Sequence, residues 1–213
     1  MSPASVLIVD DHELIRDALR VMLTREPDLT VCGEAESADD ALQRVQDLSP
    51  DLAIVDIRLR SGDGIDLIRR LRTGSDKPRV IVMSMYDERV YGRRAINAGA
   101  EGYVNKHDPA VSILDAIRSV LNGQPFFSEF LKDAPGPEQE STVIDRLSDR
   151  EFEVFGMLGD GLSVKQIALR MEISPKTVEY YRENAKRKLG LGSSAELLHC
   201  AIKWQLGASD EVE

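Results

Sequence analysis

Two cysteines in 213 residues, Cys32 and Cys200, lie too far apart to suggest a disulfide framework, and neither has the neighbours of a thiolate metal site. Both sit among apolar residues and read as buried thiols. His12, His107 and His199 show no metal-ligand spacing. No apolar run nears the roughly 18 residues that a membrane span requires, and Val6-Leu7-Ile8-Val9 is too short for a signal sequence and runs straight into acids. A cytoplasmic protein is the expectation. Basic charge is scarce as well: the formal net charge is -10, which taken over the whole chain argues against nucleic acid as a partner. That average hides one local exception. Residues 174–190 carry Lys176, Arg182, Lys186, Arg187 and Lys188 against Glu179 and Glu183, which on charge alone reads as a solvated helix face.

What is present is an ordinary core-forming composition, long enough for one large domain or two small ones. Apolar runs recur at Val6 to Val9, Thr30 to Cys32, Leu52 to Val55, Val80 to Met83 and Gly102 to Val104. Amphipathic patterns between them predict helices over 12–25, 38–48, 64–73, 87–98 and 109–122. Strand and helix in strict alternation imply right-handed βαβ units and a parallel sheet covered on both faces.

In such a sheet the carboxyl ends of the strands share one edge, where ligands bind. Leu52-Ala53-Ile54-Val55 ends on Asp56; the first strand ends on Asp10-Asp11, the fourth on Ser84 and the fifth at Lys106. Three carboxylates converging there repel one another unless a cation neutralises them, and an all-oxygen donor set suits a hard ion such as Mg²⁺. An ammonium and a hydroxyl beside them would complete a site for a phosphoryl group, whose transfer depends on positioning and charge neutralisation.

Ile8-Val9-Asp10-Asp11-His12, Val55-Asp56, Val82-Met83-Ser84 and Gly102-Tyr103-Val104-Asn105-Lys106 resemble the signature of receiver domains of two-component response regulators. The resemblance implies a doubly wound, flavodoxin-like fold of five parallel strands over residues 1–122. It also implies that Asp56 accepts a phosphoryl group from a sensor histidine kinase. Asp10, Asp11, Asp56 and the carbonyl of Arg58 would hold Mg²⁺, Lys106 would pair with the phosphoryl oxygens, and Ser84 and Tyr103 would act as the switch. Where many receivers have proline after the lysine, His107 stands here.

Residues 123–143, with Gly123-Gln124-Pro125 and Pro135-Gly136-Pro137, read as a flexible linker. Phe126, Phe127 and Phe130 are apolar enough to pack before it loosens. Residues 144–213 read as four helices. Ser148-Asp149-Arg150-Glu151 is a capping box, Ser163 opens a short helix, Ser174-Pro175 opens a longer one to about Leu189, and Ser193-Ser194 opens the last. A short helix, a tight turn and a longer basic helix are the plan of a helix-turn-helix.

Leu147 to Glu151, Gly161 to Ala168, Ile173 to Glu179 and Arg187 to Leu191 resemble the LuxR-type helix-turn-helix, so the whole chain is similar to a NarL/FixJ-type response regulator. Projected at about 100° per residue, the third helix puts Val178, Tyr181, Ala185 and Leu189 on a core face. Lys176, Tyr180, Glu183, Asn184 and Arg187 lie opposite, flanked by Glu179 and Lys186, and would enter the major groove, with Lys165 and Thr177 on the DNA backbone. Glu179 and Glu183 stand where many members have lysine. The expected function is phosphorylation-controlled transcription, with double-stranded DNA and a second copy of the chain as partners and no enzyme activity beyond the phosphoryl group's own turnover. Two other readings stay open: an aspartate-nucleophile phosphohydrolase, which normally has Asp-x-Asp rather than adjacent acids, and an interaction module whose helical part no longer binds DNA.

Overall fold

The computed structural model describes residues 2–59, 63–73, 77–85, 88–132 and 143–205. The chain divides into two compact units, residues 1–138 and 139–213. In the first, β1 (Ala4–Val9), α1 (Glu13–Thr24), β2 (Leu29–Ala35), α2 (Ala38–Leu48), β3 (Leu52–Val55) and α3 (Gly64–Thr73) follow in turn. Then come β4 (Arg79–Ser84), α4 (Glu88–Ala98), β5 (Gly102–Asn105) and α5 (Ala110–Leu121). The strands form one five-stranded sheet of order β2-β1-β3-β4-β5, and every pairing is parallel.

Every residue of β3 is buried, as a strand covered on both faces requires. On one face Leu19 and Leu23 of α1 and Ile113, Ile117 and Val120 of α5 pack against Val6, Ile8, Ile54, Ile81 and Val104. The strand residues between these turn to the other face by the twofold alternation of a strand. Order reverses between β1 and β3, so the crevice at their carboxyl ends is the topological switch point. β2 runs longer than the Thr30–Cys32 core expected for it, from Leu29 to Ala35, and its register against β1 slips by one residue between Val31 and Gly33. Cys32 and Cys200 are thiols not joined in a disulfide, and both are half-buried rather than fully buried. Burial raises the Cys32 thiol pKa above its ordinary value.

The stretch 123–132, expected as the beginning of a flexible linker, is instead folded onto the sheet edge. Gly123 leaves α5 at a φ of 81°, a left-handed value that glycine adopts without strain. The Phe126 N–H then donates to the Glu101 carbonyl and its own carbonyl accepts from the Tyr103 N–H, both at 2.9 Å. Backbone pairing thus covers part of the open edge of β5. A short helix α6 (Glu129–Lys132) follows, with Leu131 buried against α4 at Gly92, and the Ser128 N–H donates to Glu88 Oε1 at 2.9 Å. Residues 133–142 of the expected linker, Pro135 to Ser141 included, lie outside the described residues, and its last residue, Val143, belongs to the next element.

The second unit opens with a 3₁₀ turn (Val143–Arg146), followed by α7 (Asp149–Gly159), α8 (Val164–Arg170), α9 (Pro175–Lys188) and α10 (Ser194–Gln205). Its helix starts are those the sequence predicts. Ser148 with Glu151 and Ser163 with Gln166 form reciprocal capping boxes, and Ser174 caps α9 with Pro175 in its first turn. Phe152, Val154 and Phe155 of α7 pack with Ile167, Val178, Ala185, Leu197 and Ala201 in the buried core. Trp204 closes it, its ring centroid 5.1 Å from Phe152 and 5.9 Å from Phe155.

Candidate functional site

Backbone pairing continues one residue past the strands and thereby delivers the reactive side chains. The Asp56 N–H donates to the Val9 carbonyl at 2.8 Å, which sets Asp56 beside Asp10; the Lys106 N–H donates to the Ser84 carbonyl at 2.8 Å, which turns Lys106 back over the same edge. Lys106 Nζ lies 2.6 Å from Asp10 Oδ2 and 2.7 Å from Asp56 Oδ2, and all three side chains are no more than 4% exposed. Asp56 Oδ1 accepts from the Arg58 N–H at 3.2 Å. Asp10, Asp11, His12 and Asp56 each offer one ligand atom, all within 4.8 Å of one another.

The electrostatics follow from burial and sign. Loss of solvent, opposed by the Lys106 charge and reinforced by Asp10, pushes the Asp56 carboxyl up to about 6. Burial acts against the charge on Lys106, but Asp56 and Asp10 together outweigh it and raise its pKa. The Lys106 ammonium faces two carboxylates, Asp10 and Asp56, and so does not neutralise both. The donor set therefore fits a divalent cation that binds through oxygen.

His12 belongs to this group although no metal-ligand spacing marks it. Its Nδ1 lies 2.9 Å from Asp11 Oδ1 and 3.1 Å from Asp10 Oδ1, and its N–H donates to Asp10 Oδ1 at 2.8 Å. Ser84 is fully buried at the end of β4, and its Cα partner in β5 is Asn105. Tyr103 is buried too, and it lines a groove of about 440 Å³ with Met85, Glu88, Asn105 and Asp108. The peptide after Lys106 is trans.

In the helical unit α8 and α9 form a helix-turn-helix whose turn contains Glu172 at a φ of 54°. Lys165, Lys176, Tyr180, Glu183 and Arg187 are exposed; Thr177, Glu179, Asn184 and Lys186 are partly covered. Thr177 also serves the cap, its N–H donating to Ser174 Oγ at 3.1 Å and its hydroxyl 2.8 Å from that oxygen. Val178 and Ala185 are fully buried as projected, with Tyr181 half-covered beneath Tyr180. Arg182, which the face projection left out, is held by Glu179 at 2.9 Å.

Residues 6–118 match the response regulator receiver domain, and residues 145–201 match the bacterial regulatory proteins of the luxR family. The chain belongs to the response regulators. Among curated relatives, the virulence factors putative positive transcription regulator BvgA of Bordetella pertussis is 34% identical over 200 residues, 92% of this chain and 95% of that one. The Fimbriae Z protein of Salmonella typhimurium is 32% identical over 210 residues, 97% of this chain and 100% of that one. A solved structure of RcsB from Salmonella enterica serovar Typhimurium, bound to promoter rprA in the presence of the phosphomimetic BeF3-, is 26% identical over 92% of this chain and 97% of that one, at a TM-score of 0.61. This response regulator is accordingly a DNA-binding transcription regulator of two-component signalling, with a sensor kinase as partner, rather than a phosphohydrolase. No helix among its described residues is long and apolar enough to cross a membrane.

Proposed function

We propose that this response regulator is switched by phosphorylation of Asp56 and that the switched form binds duplex DNA as a homodimer through α9. The observation that carries the reading is the Asp56 carboxylate, buried at the end of β3 and 2.7 Å from Lys106 Nζ. An Asp56 oxygen attacks the phosphorus of the kinase's phosphohistidine. The P–N bond breaks, and the imidazole, protonated at its other nitrogen, leaves neutral. Lys106 pairs with the incoming phosphoryl oxygens, and burial of the pocket limits water. Asp10, Asp11, Asp56 and the Arg58 carbonyl would hold Mg²⁺, which supplies charge neutralisation for the phosphoryl oxygens when bound. The product is an acyl phosphate that the chain itself hydrolyses slowly.

The added oxygens attract the Ser84 hydroxyl, and Tyr103 follows into the space that opens. This shifts the population of the β5–α4 face only by as much as the phosphoryl group favours one arrangement over the other. On the helical unit, Lys165, Lys176, Thr177, Lys186 and Arg187 grip phosphates while Tyr180, Asn184, Glu179 and Glu183 meet base edges. RcsB has been solved as two dimers bound to two parallel DNAs. In this chain Leu198 and Ile202 stay exposed on α10 while Leu197 and Ala201 fill the core, which leaves apolar surface for a second copy.

The test treats wild type and Asp56→Asn with a small phosphoryl donor and Mg²⁺, then measures intact mass, sizing and duplex binding. Wild type is expected to gain one phosphoryl group, to dimerise and to bind more tightly, and the variant to do none of these. Equal phosphoryl uptake by the variant would overturn the assignment.

A further inference from the structure

The recognition helix carries acids where a phosphate-gripping helix would carry bases, and the acids are outermost. The Glu179 side chain is 44% exposed while Arg182, which it holds at 2.9 Å, is 24% exposed. Glu183 is 54% exposed while Lys186, held at 2.6 Å, is 21% exposed. Lys188 is turned away as well, 2.7 Å from Glu151 of α7. Of the bases on α9, Lys176 and Arg187 are therefore the ones without an ion pair among the described residues, and duplex DNA entering this face meets carboxylates before it meets Arg182 or Lys186.

A carboxylate in the major groove is repelled by phosphate and by the N7 and O6 acceptors of guanine, so it needs an amino group. Adenine offers N6–H₂ beside its own N7 acceptor; cytosine offers N4–H₂ beside a C–H, and so accommodates a carboxylate without a facing acceptor. In the DNA-free protein the Lys186 contact holds the Glu183 carboxyl below its ordinary value, so Glu183 reaches the duplex as a carboxylate. Glu179 and Glu183 are also one helical turn apart, a rise of about 6 Å. That is close to two base steps of about 3.4 Å each.

We propose that Glu179 and Glu183 determine the sequence preference of this DNA interface by accepting from the amino groups of two cytosines about two base steps apart, and that Arg182 and Lys186 are then released to the phosphates. The inference rests on the DNA-binding reading above. On a matching site each carboxylate exchanges its internal cation for a cytosine amino group, and the released cation gains a phosphate. On other sequences the acids keep their partners and the helix binds weakly. The pairs thus suppress non-specific binding, and the energy of discrimination comes from the carboxylate–cytosine and cation–phosphate contacts that only a matching site allows together.

The experiment selects duplexes from a random-sequence library with phosphoryl-donor-treated, full-length wild type, Glu179→Gln and Glu183→Gln. Wild type is expected to enrich a site with two such cytosines. Each variant should lose the preference at one of them, or turn it toward adenine, which glutamine recognises through N6 and N7. Affinity of each variant for the wild-type site should fall roughly 5- to 100-fold. On non-specific duplex each variant should bind more tightly, with a salt slope steeper by about 0.9 for the cation set free. Replacing the two cytosines one at a time by N4-methylcytosine, which keeps base pairing and masks the outward amino hydrogen, should weaken wild type each time and leave unaffected the variant whose glutamate reads that cytosine. Selection of an unchanged site by both variants, or indifference of wild type to the methylated duplex, overturns the proposal while leaving DNA binding intact. Enrichment of no site by wild type overturns it together with the DNA-binding reading.

Discussion

Glu151 and Lys188 join α7 to α9 across the helical unit: Lys188 Nζ lies 2.7 Å from Glu151 Oε2, the same oxygen that accepts from the Ser148 N–H at 2.8 Å. One buried carboxylate thus caps one helix and anchors the end of another. Glu151→Ala removes both and should lower stability by about 2 kcal/mol, whereas Glu151→Gln keeps a capping acceptor and should cost about half as much. The chain has one tryptophan, Trp204, and it packs on Phe152 and Phe155 of the same core, so its fluorescence reports the melting of this unit. An alanine variant that melts at the wild-type midpoint would refute the account.

Asp56 should destabilise the metal-free protein at neutral pH. Its folded pKa is about 6, against 3.8 for an ordinary aspartate. Between those values the native state holds a proton that the unfolded state has released, so stability falls as pH rises through that window. Above about pH 6 the whole penalty applies, about 3 kcal/mol at most. Asp56→Asn should therefore be the more stable protein at pH 7.5 in chelator, and the difference should shrink toward pH 4. Urea titrations followed by circular dichroism at the two pH values measure it, and an asparagine variant less stable at pH 7.5 would contradict it.

The parts of this chain that the sequence reveals are those governed by short-range rules. A strand buried on both faces is a continuous apolar run, and it stops where the chain leaves the sheet; Asp10, Asp56, Ser84 and Lys106 fall at those stops. Ser148, Ser163 and Ser174 announce their helices because a cap is satisfied within three residues. His12 was hidden because its approach to Asp11 depends on how the chain turns after β1. The Phe126 strap was hidden for another reason: a one-residue bridge to Gly102 has no periodicity, while Gly123-Gln124-Pro125 signals only a turn. β2 was underestimated because residues such as Gly33 and Glu34, on an edge strand, need not be apolar.

Addition of Mg²⁺ should stabilise wild type by neutralising the acids around Asp56. At ten times its dissociation constant the ion contributes about 1.4 kcal/mol, lost again on chelation. Asp11→Ala should abolish most of that gain, since Asp11 brings a carboxylate oxygen within 4.8 Å of the ligand atoms of Asp10 and Asp56. Thermal melts of both proteins with and without Mg²⁺ decide it; an equal rise in both would exclude Asp11 from the site.

Gly64 should be intolerant of any side chain, in contrast with Gly92. A Cβ at Gly64, the first residue of α3, would be driven into the Asp56 carbonyl oxygen and would lie 2.7 Å from Ile57 Cα. These are backbone atoms that cannot rotate away, so the strand end that presents Asp56 must shift. Gly64→Ala should cost about 3 kcal/mol and slow phosphoryl uptake together. A Cβ at Gly92 would meet the tip of Leu131 and, at 3.0 Å, Glu88 Cγ, both side-chain atoms that can shift without moving the backbone. The gain of up to about 1 kcal/mol in helix propensity then offsets the crowding. Denaturant midpoints and phosphorylation rates of the two variants test the contrast, and equal behaviour would show that the Gly64 contact does not fix the position of Asp56.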